Sequence, residues 1–145
     1  MPYLPTTACR SIENDLLIKD DKKSYTGGNQ GWFLSLGYKD IAEYGCGIIA
    51  ICNFLMCFWK SVYKSKNTVG KDTFIAFVLM VYRKYLNILD TPVIKGLTGF
   101  ALAKAVNDYF KDNRLPMKAR WGVGYNIFLK VNKSLQEGMP VILGV

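Results

Sequence analysis

The chain has 145 residues, 50% of them hydrophobic, 14% aromatic and 21% charged, which is the size and mixture of one globular domain with a core and argues against disorder over most of its length. Nineteen Lys and Arg against eleven Asp and Glu leave a net charge of +8, and there is no histidine. That absence excludes a Ser-His or Cys-His dyad, a His-ligated metal and a histidine proton relay within these residues. In chain order, residues 1–29 are polar and end in Ser24-Tyr25-Thr26-Gly27-Gly28-Asn29, a loop composition, so they are read as an N-terminal segment preceding a domain over 30–145. From Cys46 to about Tyr63 the chain is apolar on nearly every helical face, which predicts a helix at the centre of the domain. A second helix is predicted over 71–89, with Phe74, Phe77, Val78, Val81, Tyr85 and Ile88 on its inner stripe and Arg83 and Lys84 facing outward. Thr91-Pro92 breaks the pattern, and a third helix opens near Thr98, an N-cap residue, with Leu102, Ala103, Val106, Tyr109 and Phe110 inward.

After Pro116 the period changes to two. Met117, Ala119, Trp121 and Val123 alternate with Lys118, Arg120 and Gly122, which predicts a half-buried strand. Asn126 caps a short helix carrying Ile127, Phe128, Val131 and Leu135, and Gly138 ends it. Met139-Pro140-Val141-Ile142-Leu143-Gly144-Val145 then reads as a fully buried strand, and the sequence stops there. Such a strand needs neighbours for its backbone donors and acceptors. The expectation is a domain incomplete at its C-terminus, with the last strand open to exchange with a second copy.

Cys46, Cys52 and Cys57 fall on one predicted helix at spacings that keep their side chains beyond disulfide reach, and Cys9 lies far upstream. No CxxC pair occurs, so neither a zinc site nor any other metal or organic cofactor is implied. The N-terminus lacks the apolar stretch of a secretory signal. The longest uncharged run, 44–59, falls short of the roughly 20 residues that span a bilayer. The default reading is cytoplasmic, with envelope association or export left open. Lys60, Lys64, Lys66, Lys118, Arg120 and Lys130 are dispersed and carry no nucleic-acid motif, so the charge points to solubility, acidic substrates or an envelope surface rather than to nucleic acid.

The segment that bears chemistry runs Lys39-Asp40-Ile41-Ala42-Glu43-Tyr44-Gly45-Cys46-Gly47-Ile48-Ile49-Ala50. A cysteine between glycines stands where a loop turns into a helix. The unsatisfied N–H groups and positive partial charge of that helix start favour thiolate. Gly45 and Gly47 would let a substrate backbone approach the sulfur, and the Cys46 N–H could help hold an oxyanion. Trp32, Tyr38 and Trp121 are candidate aromatic walls of a cleft, with core packing as the competing reading. Cys52 and Cys57 read as core, and Asn53 as the holder of a buried hydrogen bond.

The segment resembles the papain-like cysteine peptidases, in particular the bacterial group related to double-glycine leader peptidases, whose "tIAxxGCGxxA" loop leads into the nucleophile helix. The match covers about a dozen residues closely and the next ninety only in the order of elements. The resemblance implies an α+β papain-like fold, with the Cys46 helix packed with other helices on a partial antiparallel sheet. It implies Cys46 as nucleophile, a peptide or protein substrate, and an upstream glutamine as oxyanion donor, for which Gln30 is the candidate. At the spacing found in papain itself stands Asp40, an acceptor. The family's base is a histidine on the strand after 139–145, with an Asn or Asp orienting it, and both fall beyond Val145. The alternative is a non-catalytic domain that binds a peptide, such as a leader sequence, in the same groove.

Overall fold

Residues 17–26, expected only as part of a polar N-terminal segment whose last residues, from Ser24, have a loop composition, form a hairpin. In the computed structural model, which describes residues 16–62, 68–86 and 98–142, strand β1 (Leu17–Asp20) pairs antiparallel with β2 (Lys23–Thr26) in the register Ile18↔Tyr25. The two-residue connection starts at Asp21, with φ 46°, a left-handed conformation that Asp tolerates better than most side chains. Each strand is only four residues long, and Ile18 is the single fully buried side chain among them. Polar composition therefore hides the pairing. A third short strand, β3 (Thr68–Gly70), joins the other edge of β1 in parallel, giving the order β2-β1-β3. The sheet is thus small and mixed, not the antiparallel sheet expected, and the helices dominate an α+β architecture.

Helix α1 (Lys39–Tyr44) is followed after Gly45 by α2 (Cys46–Val62), which runs through the core as its apolar composition requires. Ile48, Ile51, Cys52 and Leu55 of α2 are buried with Ile18, Phe33, Ile41 and Phe74. Helix α3 (Lys71–Val81) continues into a wider π turn over Tyr82–Leu86. Its buried positions Phe74, Val78, Val81 and Tyr85 follow the expected stripe, Phe77 is half-buried, and Arg83 and Lys84 are exposed. Helix α4 (Gly99–Asp112) begins where Thr98 Oγ1 accepts the Ala101 N–H at 3.2 Å. It is tied to α2 by the Trp59 indole N–H, which donates to Tyr109 Oη at 2.6 Å, and to the π turn by Tyr85 Oη donating to Asp112 at 2.9 Å. Lys71 and Asp20, at 2.8 Å, join the start of α3 to the hairpin.

The strand expected over 117–123 does not form. The segment is extended and its exposure alternates through Ala119, but no ladder accompanies it. Asn107 of α4 substitutes for a neighbouring strand at one point: its Oδ1 accepts the Ala119 N–H at 2.7 Å, and its Nδ2 donates to Ala119 O at 3.0 Å. Beyond that clamp Trp121 is exposed and rests edge-on against Phe100. Helix α5 (Ile127–Gln136) occurs as expected, although Asn126 makes no side-chain cap. Gly138, at φ 74°, ends it in a Schellman arrangement, with the Gly138 N–H on Leu135 O and the Met139 N–H on Ser134 O. No residue of α5 is buried. The strand expected from Met139 likewise does not form over 139–142, where Met139 and Ile142 are exposed, because no strand lies alongside among the described residues. Cys9, Ile88, the Thr91-Pro92 break, Lys64, Lys66 and 143–145 lie outside the described residues. Among the described residues, no helix is long and apolar enough to cross a membrane.

Candidate functional site

Asn29 fixes the loop that enters the site. Its Oδ1 accepts the Gly31 N–H at 2.8 Å and caps a 3₁₀ turn over Gln30–Phe33. Just before it the chain crosses α2 closely: the Gly28 N–H donates to Asn53 Oδ1 at 2.9 Å. A Cβ at Gly28 would fall 2.1 Å from Phe74, so only glycine fits between the helix and the buried ring. Opposite this loop, Cys46, Ile49, Ala50 and Asn53 form one face of α2, at i, i+3, i+4 and i+7. Loop and helix face enclose an open cleft of about 460 Å³ whose lining includes both Gln30 and Cys46.

Cys46 is an exposed free thiol in the first turn of α2. Gln30 stands across the cleft with its side chain engaged: Nε2 donates to Ala42 O at 2.9 Å, which leaves one of its two N–H hydrogens for another acceptor. Asn53 lies at the far end and makes the hydrogen bond expected of it, though half-buried and to a loop rather than within the core. Among the described residues that line it, Cys46 and Tyr25 are the titratable side chains, with no carboxylate and no lysine beside them. Its described residues combine a thiol, a helix start and amide donors.

The other expected site residues lie away from this lining. Gly45 ends α1 where a Cβ would meet Ile41 O at 2.2 Å, and at Gly47 a Cβ would meet Leu102 of α4 at 3.0 Å. Neither is among the lining residues: Gly45 lies close against the last turn of α1 itself, and Gly47 against α4. Trp32 lies behind the loop, edge-on to Tyr25 at 5.2 Å and to Phe74 at 6.3 Å, with Lys71 Nζ over its ring. Tyr38 accepts from Arg83 at 2.6 Å, and Asp40 accepts from Tyr82 Oη. Cys52 is fully buried, and burial pushes its thiol far above the ordinary range; Cys57 is half-buried. Among the described residues no group of acidic, histidine or cysteine side chains could hold a metal ion. Sequence reasoning missed the part played by Gly28 and Asn29. The available signal was an Asn two residues before Gly31, the spacing of an Asx turn.

No family model, no curated protein and no solved structure matches this chain.

Proposed function

We propose that this chain is a papain-like cysteine peptidase or related thiol amide hydrolase, with Cys46 as nucleophile. The observation that supports this most is the convergence of Cys46 and Gln30, sixteen positions apart, on one cleft. In this reading the Cys46 thiolate attacks a substrate carbonyl carbon. The charge that develops on the carbonyl oxygen is met by the positive end of α2 and by the free N–H of Gln30. The leaving amine needs a proton, and an imidazole to supply it would have to come from outside these 145 residues, which contain no histidine. A peptide fits the cleft because the loop side presents backbone and amide groups rather than charge.

The backbone and amide groups lining the cleft also suit a second reading, a peptide-binding cleft without catalysis. One experiment separates them. Native protein is treated with limiting iodoacetamide at neutral pH and the labelled cysteines are mapped by mass spectrometry. An activated nucleophile gives Cys46 labelling at least about tenfold faster than the same thiol in denatured protein. Labelling no faster than the denatured thiol sinks the hydrolase reading. The binding reading expects peptide affinity to be unchanged by Cys46→Ala.

A further inference from the structure

Resting on Cys46 as the reactive group, we propose that Gln30 is a positioning residue, which divides what would be one helix into α1 and α2 and thereby sets Cys46 in a first turn. Residues 39–62 contain no proline, and the single glycine between the two helices is by itself a weak breaker, costing about 1 kcal/mol in a helix interior. The α-helical ladder nevertheless stops there. The Ala42 N–H donates to Tyr38 O and the Gly45 N–H to Ile41 O; the pattern resumes with the Ile49 N–H on Gly45 O. The next rung would join the Cys46 N–H to Ala42 O. That carbonyl instead receives Gln30 Nε2 at 2.9 Å. In an uninterrupted helix Cys46 would sit about two turns in, its N–H committed and the helix-end partial charge remote.

The donor is itself held firmly. Asn29 caps the turn that carries Gln30, and Asn53, two turns along α2 from Cys46, binds the backbone at Gly28. Loop, α1 and α2 are therefore joined by side-chain amides on both sides of the thiol. Gly45 contributes the tight approach to Ile41 O at the break, and Gln30 occupies the carbonyl that the break leaves open.

The test uses the full chain with Gln30→Met, which keeps length and removes the donor, and Gln30→Lys, which keeps a donor. Backbone amide exchange at Cys46 is expected to slow about tenfold in Gln30→Met, as its N–H takes up Ala42 O, and to stay near the parent rate in Gln30→Lys. Iodoacetamide alkylation of Cys46 should slow at least about threefold in Gln30→Met. That reaction displaces iodide from a saturated carbon and forms no oxyanion, so loss of an oxyanion donor alone would leave it unchanged. A folded Gln30→Met protein, with Cys52 still protected, showing parent-like exchange and alkylation overturns the proposal. If that variant does not fold, Gln30→Asn, too short to reach Ala42 O, makes the same comparison. Slow alkylation of Cys46 in the parent chain would defeat the nucleophile reading, while amide exchange would still decide the role of Gln30.

Discussion

At Gly28 the closest atom to an added Cβ is Cε1 of Phe74, a ring with no exposed surface. Gly28→Ala is therefore expected to lower the unfolding free energy by about 1–3 kcal/mol in urea titrations, the range for overpacking a filled core. A substitution without measurable cost would mean that the loop does not pass so close to α3. Tyr82 offers a pH-dependent test. Its hydrogen bond to the Asp40 carboxylate, followed by burial, holds the phenol up at about 12, against an ordinary value of about 10. The folded state thus binds the proton more tightly than the unfolded chain. Its stabilising contribution is complete below about pH 10 and disappears as the pH rises to about 12. Tyr82→Phe should flatten the alkaline decline in stability across that window, with Tyr85 and Tyr109, also raised, providing the remaining slope. An unchanged decline would show that Tyr82 is ordinary in the folded protein.

Secondary-structure elements here are held by side-chain amides as much as by ladders. Asn53 joins α2 to the cleft loop, Gln30 joins that loop to α1, and Asn107 grips the extended segment at Ala119 with both of its polar atoms. The last case gives a clear outcome. Asn107→Ala leaves two backbone groups at Ala119 without a partner and frees the chain on both sides. Tryptic cleavage after Lys118 and Arg120 should then rise about tenfold, while the melting temperature falls little. Equal cleavage in the two proteins would mean that some other contact holds the segment.

Across the molecule the packing is uneven. The core gathers around α2, with the hairpin, α3 and α4 against it, whereas α5 buries none of its residues. Phe74→Ala should accordingly cost about 3–5 kcal/mol, while Phe128→Ser should change stability by less than about 0.5 kcal/mol. Exposed Trp121, Val123, Tyr125, Phe128 and Leu129 form an apolar stretch of the chain that a hydrophobic dye should report in the native state. Phe128→Ser should dim that signal without shifting the melting curve. A large loss of stability on the same substitution would show α5 to be part of the core.

Helix α2 is legible in the sequence as a long run apolar on nearly every face, and α3 and α4 because a 3.6-residue period repeats over three or more turns: Phe74, Val78, Val81 and Tyr85 mark a buried stripe before any partner is known. The Thr98 cap and the Gly138 stop are legible for the same local reason, since the bonds they make lie within a few residues. Strands are different. A ladder requires a neighbour, and neither alternation at Met117–Val123 nor apolar composition after Met139 supplies one, whereas the polar Lys23–Thr26 pairs because Leu17–Asp20 lies beside it. The site divides along the same line. Cys46 between two glycines marks a candidate nucleophile in the sequence, but the meeting of Gln30 with Ala42 O, the passage of Gly28 over Phe74 and the close contacts of Gly45 and Gly47 depend on how the chain packs. Local chemistry is written in the order of residues; the company each residue keeps is decided only when the chain packs.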